Sequence, residues 1–155
     1  MSFLLNPYLS GILPAQYFRF QVSSINGGGG DSYVQLDEFL LLSGASVVTG
    51  GTYTNVGGTG SPGAEGPTLA GDQNLSTKWL GFDGATAGLY ITYSTAQIIT
   101  GYRIATANDA TWRDPSGWVL SASKNNVNWN VIATKTGVTL TSSRNTYMSD
   151  YTLDI

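Results

Sequence analysis

The chain has 155 residues, of which 11% are charged, and its formal net charge is −3. A chain of this length suits one domain, and its seven scattered Lys and Arg exclude the basic surface of a nucleic-acid-binding protein. The sequence has no Cys and no His, which excludes disulfides, thiolate metal sites and Cys nucleophiles and removes the commonest general base. We therefore expect a protein that is not an enzyme.

Residues 1–16 are predicted to form an apolar arm ahead of a domain that spans residues 17–155. The residues expected to dock are Phe3, Leu4, Leu5, Tyr8 and Leu9. The arm has no basic segment, Pro7 interrupts it, and it is too short to cross a bilayer, so we expect neither a signal peptide nor membrane insertion. An apolar segment left in solvent invites association. The arm therefore either folds over its own domain or docks on a neighbouring subunit.

Alternating apolar and polar residues predict strands along most of the domain. The first two are residues 17–24 (YFRFQVSS) and residues 32–43 (SYVQLDEFLLLS), the second turning into a continuous apolar run typical of a strand covered on both faces. Residues 50–71 are rich in Gly and predict a long loop. Five further strands are predicted within residues 88–94, 98–107, 117–123, 128–135 and 146–155. With no helix favoured, the sequence predicts an all-β sandwich or jelly roll.

Three segments together resemble the discoidin-type domain (coagulation factor type C) of the galactose-binding-like superfamily: STKWLGF, GYRIATANDATWRDPSGWVLSASKNNVNWNVI and SSRNTYMSD. That family typically carries Asp-Gly-Asn-x-x-Thr-Lys-Trp, then Arg-Asp-Pro-x-x-Trp, then a Ser-x-Asp-Gly-x-x-Trp hairpin. The matching residues are Asp72, Asn74, Thr77 and Trp79, then Arg113, Asp114, Pro115 and Trp118, then Ser123 and Trp129. Gln73 stands where the family has Gly, and Asn125-Asn126 stands where it has Asp-Gly.

The family's two closing strands are found here at the front of the chain, as YFRFQV and VQLDEFLLLSG. The resemblance therefore implies a circularly permuted jelly-roll β-sandwich, a change that is easily accommodated when the original ends of a domain lie close together. It also implies that residues 17–22 lie near residues 151–155. This permuted pattern, led by the segment LLNPYLSG, resembles small modules of bacteriophage virion proteins.

The stretch LAGDQNLSTKWLGF (residues 69–82) gathers oxygen-bearing side chains before a tryptophan. Under permutation Glu38 should come near this turn, and Ca²⁺ prefers six to eight hard oxygen ligands. The candidate ligands are Glu38, Asp72, Asn74 and Thr77, with main-chain carbonyls around Leu69 and Asn74. The resemblance implies a structural calcium ion that holds a long loop. The alternative is that Asp72 and Ser76 only satisfy loop amides, as Asx and ST turns do.

Aromatic residues near loops and strand ends are candidates for stacking on sugar rings, and the family often binds galactose-like sugars at loop tips. The candidate ligand-binding residues are Trp112, Tyr53 and Arg113, with Phe82 and Tyr90 as further exposed aromatics. The alternative is that these rings fill the core or cover a subunit contact. Asp109 and Asp114 could form a glycosidase-like carboxylate pair. We expect instead that Arg113 pairs with one of them.

The resemblance implies the function of a non-enzymatic bacteriophage virion accessory protein, either capsid decoration (cement) or a tail-fibre or baseplate component. Such a protein would be assembled in the host cytoplasm and act by adhesion to other virion subunits as a homo-oligomer or multi-copy assembly. The first alternative is a calcium-dependent carbohydrate-binding module that recognises cell-surface glycans. The second is a small enzyme acting on glycosides.

Overall fold

The computed structural model describes residues 13–27, 32–58 and 60–155. The strands are β1 (Ala15–Ile25), β2 (Tyr33–Leu36), β3 (Glu38–Ser43), β4 (Ser46–Val47), β5 (Thr52–Asn55), β6 (Trp79–Phe82), β7 (Gly88–Gln97), β8 (Gly101–Ala105), β9 (Pro115–Ser123), β10 (Asn130–Lys135) and β11 (Tyr151–Thr152). Three 3₁₀ turns join them, Pro67–Gly71, Gly84–Thr86 and Thr111–Arg113. No helix in these ranges is long and apolar enough to cross a membrane. Phe3, Leu4, Leu5, Tyr8 and Leu9 lie outside the described residues.

The strands form antiparallel sheets, which confirms the prediction of an all-β chain and is consistent with a β-sandwich. One sheet has the order β10-β9-β1-β7-β5, a second has the order β11-β8-β3-β4, and β2 pairs with β6. Strand β1 lies at the centre of the first sheet, with Phe18 opposite both Ile91 of β7 and Ala122 of β9. Leu13 and Pro14, which directly precede β1, therefore lie at the end of a central strand and not at the edge of the sheet.

Aromatic side chains join the two larger sheets. The ring centroid of Phe20 on β1 lies 4.3 Å from that of Phe39 on β3 and 5.9 Å from that of Trp118 on β9. Trp118 is fully buried; its ring lies 5.5 Å from Tyr151 on β11, and its Nε1 donates to the Tyr102 hydroxyl at 2.9 Å. Each fully buried ring contributes about 1.5–3 kcal/mol to stability. Residues 17–22 and 151–155 therefore lie close across the core, as expected, although they belong to different sheets.

The prediction of a single strand over residues 32–43 was wrong, because the chain divides at Asp37. Strand β2 pairs with β6, whereas β3 pairs with β8 in another sheet. The Asp37 main-chain N–H donates to the Ala105 carbonyl at 3.1 Å, and its buried carboxylate accepts a hydrogen bond from Asn145 Nδ2 at 2.7 Å. The buried carboxylate therefore sits where the chain passes from one sheet to the other.

The prediction of a continuous loop over residues 50–71 was also wrong. This segment contains β5, which pairs with β7, and the 3₁₀ turn Pro67–Gly71. The strand predicted within residues 146–155 is reduced to β11, with an isolated bridge between Ala105 and Tyr147 before it. Elements this short carry too few alternating residues for a pattern to mark them.

Candidate functional site

The structure brings the four predicted metal ligands together in what we call the acidic turn, formed by Glu38 and residues 72–77. Glu38 begins β3, and Asp72 follows the 3₁₀ turn Pro67–Gly71. The Asn74 N–H donates to Glu38 Oε1 at 2.6 Å and to Asp72 Oδ1 at 2.9 Å. Thr77 Oγ1 donates to Asp72 Oδ2 at 2.8 Å and to the Asn74 carbonyl at 2.9 Å. The two carboxylates therefore face each other across one short turn.

The acidic turn also contains the Asx turns that the alternative interpretation expected. The Asp72 side chain accepts from the amide two residues on, and Asn74 Oδ1 accepts from the Ser76 N–H at 3.0 Å. These bonds satisfy loop amides without a metal ion. They do not explain the presence of the Glu38 carboxylate at this turn, because Glu38 belongs to β3 and not to the turn itself.

Glu38 is the unusual group of the acidic turn, since its side chain is fully buried. Among the described residues, Glu38 Oε2 has no hydrogen-bond partner. Burial, followed by the neighbouring Asp72 carboxyl, raises the pKa of Glu38 to about 8. A buried, unpartnered carboxylate oxygen is costly unless a proton or a cation neutralises it.

The donor set of the acidic turn fits a hard cation such as Ca²⁺. Its oxygens come from two carboxylates, an amide, a hydroxyl and main-chain carbonyls, which are the ligand types that Ca²⁺ takes. No group of three or more Asp, Glu, His or Cys side chains gathers at one point within the described ranges. A bound cation would therefore be held by Glu38 and Asp72 together with neutral oxygens.

Gln73 gives the acidic turn its shape by adopting the left-handed conformation, with φ of 59°. This is the position at which the resembling family has Gly. A residue with a Cβ in this region costs roughly 1–2 kcal/mol, whereas Gly adopts it freely. Gln73 nevertheless adopts the left-handed conformation, and this conformation places the Asn74 N–H between the two carboxylates.

Comparison of the chain with protein-family models, with curated proteins and with solved structures found no match.

A polar cleft of about 150 Å³ lies beside the acidic turn, and Thr77 contributes to both. Lys78 and Asp37, which the sequence analysis did not propose as site residues, line this cleft together with Glu65 and Asn108. Lys78 is buried; its Nζ lies 3.0 Å from Asp109 Oδ1 and 3.1 Å from Gln35 Oε1. Asp37 is fully buried, and Asp37 Oδ1 has no hydrogen-bond partner among the described residues. Burial raises the pKa of Asp37 to about 6.

A sequence signal for the cleft did exist. Asp37 interrupts the apolar run VQLDEFLLL, and Lys78 directly precedes the fully buried Trp79. A charged residue inside a buried pattern is rare unless it is paired or functional. That criterion would have marked both residues.

Asp109 and Asp114, considered above as a catalytic pair, take part in separate ion pairs. Burial tends to raise the pKa of Asp109. The hydrogen bonds from Lys78 and Gln35 outweigh that effect and hold the pKa below its usual range. Both Arg144 terminal nitrogens donate to Asp114, with Nη1 at 2.8 Å and Nη2 at 3.0 Å. The bidentate partner of Asp114 is therefore Arg144. The guanidinium carbon of Arg113 lies 4.9 Å from the ring centroid of Tyr33.

Two of the three predicted ligand-binding residues lie together. Trp112 and Arg113 share the 3₁₀ turn Thr111–Arg113, and Trp112 is 52% exposed. The expectation of an exposed Tyr53 was wrong, since it is 6% exposed and its hydroxyl donates to the Phe39 carbonyl at 2.9 Å. Tyr53 occupies the inward-facing position of β5, so its ring packs in the core and cannot stack on a sugar in solvent.

An apolar groove lies at the end of the sandwich where β1 begins. Its volume is about 240 Å³, and its lining includes Leu13, Phe18, Ala122, Val131, Leu153 and Ile155. Three of these side chains remain largely in solvent, with exposed fractions of 45% for Leu13, 58% for Val131 and 52% for Ile155. We call this surface the apolar end; its lining includes Leu13, the residue that follows residues 1–12 in the sequence.

Proposed function

We propose that this chain is a non-enzymatic virion accessory protein of a bacteriophage, a capsid decoration protein or a tail component, that attaches to neighbouring subunits through its apolar end. The observation that carries this proposal is the apolar end itself, where Leu13, Val131 and Ile155 surround a groove while about half exposed. Clustered exposed apolar surface around a concavity is typical of an interaction site. Burying it gains roughly 25 cal/mol for each Å² of apolar surface removed from water.

The assignment to a virion rests on the resemblance of the chain to permuted discoidin-type modules of phage particles. The proposal includes the jelly-roll topology and the circular permutation. The approach of β1 to β11 through Trp118 supports it, because these two segments would follow each other in the unpermuted chain and must therefore lie close together. The protein would be assembled in the host cytoplasm and remain on the particle.

The acidic turn has a supporting role in this proposal. When bound, Ca²⁺ would supply the positive charge that the facing carboxylates of Glu38 and Asp72 lack. The chain's own residues hold the turn in position, since Asn74 and Thr77 bond to these carboxylates. A neutralised acidic turn would fix the loop over residues 67–77 against β3, which keeps the outer surface of the sandwich rigid.

Immunogold labelling tests the proposed function. An antiserum raised against the purified chain is applied to virus particles purified by density gradient from the cultures that produce it. We expect gold at repeated positions on the particles, and none after the antiserum has been absorbed with the purified chain. Recovery of the chain in the soluble fraction alone, with unlabelled particles, would refute the proposal.

A calcium-dependent carbohydrate-binding module is the second candidate function, and the polar cleft favours it. The carboxylate of Glu65 and the hydroxyl of Thr77 line this cleft and can bond to sugar hydroxyls directly beside the acidic turn. We expect saturable binding on a glycan array in calcium that is lost in chelator and in Glu65→Gln. Asp154→Asn, at an exposed residue that pairs with Lys135 and does not line the cleft, is the control and should keep the binding. Absence of saturable binding to any glycan would remove this candidate.

A further inference from the structure

We propose that the groove of the apolar end receives residues 1–12 of a second copy of this chain. This inference deepens the proposed function and rests on it in one respect, namely that the apolar end is an attachment surface. It names the occupant of the groove and identifies the neighbouring subunit as an identical one.

The first step is the chemistry of the groove. Of its described lining residues only Lys124 is charged, and most of the others are apolar. Val131 lies on β10 and Leu13 precedes β1, so the groove spans elements that the five-stranded sheet holds in fixed register. A fixed apolar concavity of this kind accepts an apolar segment without rearrangement.

The second step is the chemistry of the segment. Residues 1–12 (MSFLLNPYLSGI) contain no charged side chain, and seven of the twelve are apolar or aromatic. Twelve residues can span at most roughly 40 Å when extended, which is long enough to reach the groove of an adjoining domain. The segment therefore matches the groove in polarity and has the reach to fill it in another subunit.

The third step is the residue at which the segment joins the domain. Leu13 precedes Pro14, and a residue before proline is restricted to extended conformations. Leu13, Pro14 and Ala15 already line the groove of their own domain. An extended Leu13 disfavours a tight reversal of the chain at this point, and a groove in a second copy requires no such reversal. Reciprocal exchange between two copies fills both grooves in a symmetric dimer, a low-cost route to association.

Disulfide trapping tests this inference, because the chain contains no Cys of its own. A Leu5→Cys chain is mixed with a mass-tagged Val131→Cys chain, and the mixture is oxidised mildly. We expect a cross-linked heterodimer in high yield. The matched control is Val127→Cys, which is 75% exposed on the same β9–β10 hairpin but does not line the groove, and which should give only background cross-linking.

Light scattering on full-length variants gives an independent measurement. Val131→Glu and removal of residues 1–12 should each convert the dimer to a monomer, whereas Val127→Glu should leave it dimeric. Near-ultraviolet circular dichroism of each variant must match the parent chain, which shows that the sandwich is folded.

Two results would overturn the inference. One is a monomeric parent chain in which the double variant Leu5→Cys, Val131→Cys cross-links within a single chain, since the segment then covers its own groove. The other is a dimer that persists after residues 1–12 are removed. Either result leaves the immunogold test unaffected, and unlabelled particles with a trapped dimer would refute the virion assignment while leaving this inference intact.

Discussion

Glu38 and Asp72, 34 positions apart in the sequence, accept hydrogen bonds from the same main-chain N–H, that of Asn74, at 2.6 Å and 2.9 Å. Glu38 comes from a buried strand and Asp72 from a surface turn. Two carboxylates placed this close repel each other when both are ionised. A proton or a cation between the two carboxylates should therefore stabilise the acidic turn, and this dependence can be tested.

Calcium should raise the melting temperature of the chain, and Glu38→Gln should abolish that rise. The variant keeps the shape of the side chain and can still accept from the Asn74 N–H, but it lacks the charge that a cation needs. Asp150→Asn is the control, because Asp150 pairs with Arg103 at an exposed site and should leave the calcium effect unchanged. Differential scanning calorimetry with calcium or EDTA measures both. Identical melting of the parent chain in the two buffers would eliminate the metal site.

Stability in EDTA should fall as the pH rises from about 5 to 8. In the folded chain the pKa of Glu38 is raised from its ordinary value of 4.5 to about 8, mainly by burial. The unfolded chain therefore loses this proton first, and the free energy of unfolding decreases by up to about 1.4 kcal/mol per pH unit across that window. Asp37 adds to the decrease below about pH 6, where its raised pKa lies.

Urea denaturation of the parent chain and of Glu38→Gln at pH 5 and pH 8 checks this pH dependence. The variant should show a flatter profile, because its amide does not titrate. The remaining decrease comes from Asp37 and from Asp114, since burial raises the pKa of Asp37 to about 6 and that of Asp114 to about 7. Calcium should reverse the trend, since cation binding requires the deprotonated carboxylate and strengthens as the pH rises. A parent chain that is more stable at pH 8 than at pH 5 in EDTA would contradict the assignment.

The sequence pattern predicted the features that depend on residues adjacent in the chain, namely strands and tight turns. The strand around Phe20 alternates, and Asn126 takes the positive φ of 59° that a tight hairpin needs. The pairing of Glu38 with Asp72 was predicted from a resemblance, because periodicity holds no information on which distant segments meet. Tyr53 shows the converse, since an aromatic beside a Gly-rich stretch looks like a loop residue until β5 pairs with β7 and turns its ring inward.

Gln73→Gly should stabilise the chain by about 1 kcal/mol, because the left-handed backbone at this position is costly for a residue with a Cβ. The same turn offers a control in Ser76→Gly. Ser76 is not among the residues with positive φ, so glycine there only adds freedom to the unfolded chain and should lower stability. Chemical denaturation in EDTA separates the two variants. Equal effects of both substitutions would show that backbone strain at Gln73 is not the cause.

Arg144→Met should destabilise the chain by roughly 3–5 kcal/mol, because it leaves the carboxylate of Asp114 buried and unpaired. The Asp114 side chain is only 5% exposed, and its bonds to Arg144 are bidentate. Arg103→Met removes an equivalent bidentate partner from Asp150, whose side chain is 42% exposed, and should cost at most about 1 kcal/mol. Both substitutions delete one guanidinium, so the difference between their urea midpoints isolates the effect of burial. Similar losses in the two variants would mean that water reaches Asp114. If Asp114 is shielded from water, the double variant Asp114→Asn, Arg144→Met should recover much of the stability that Arg144→Met loses, because it buries no unpaired charge.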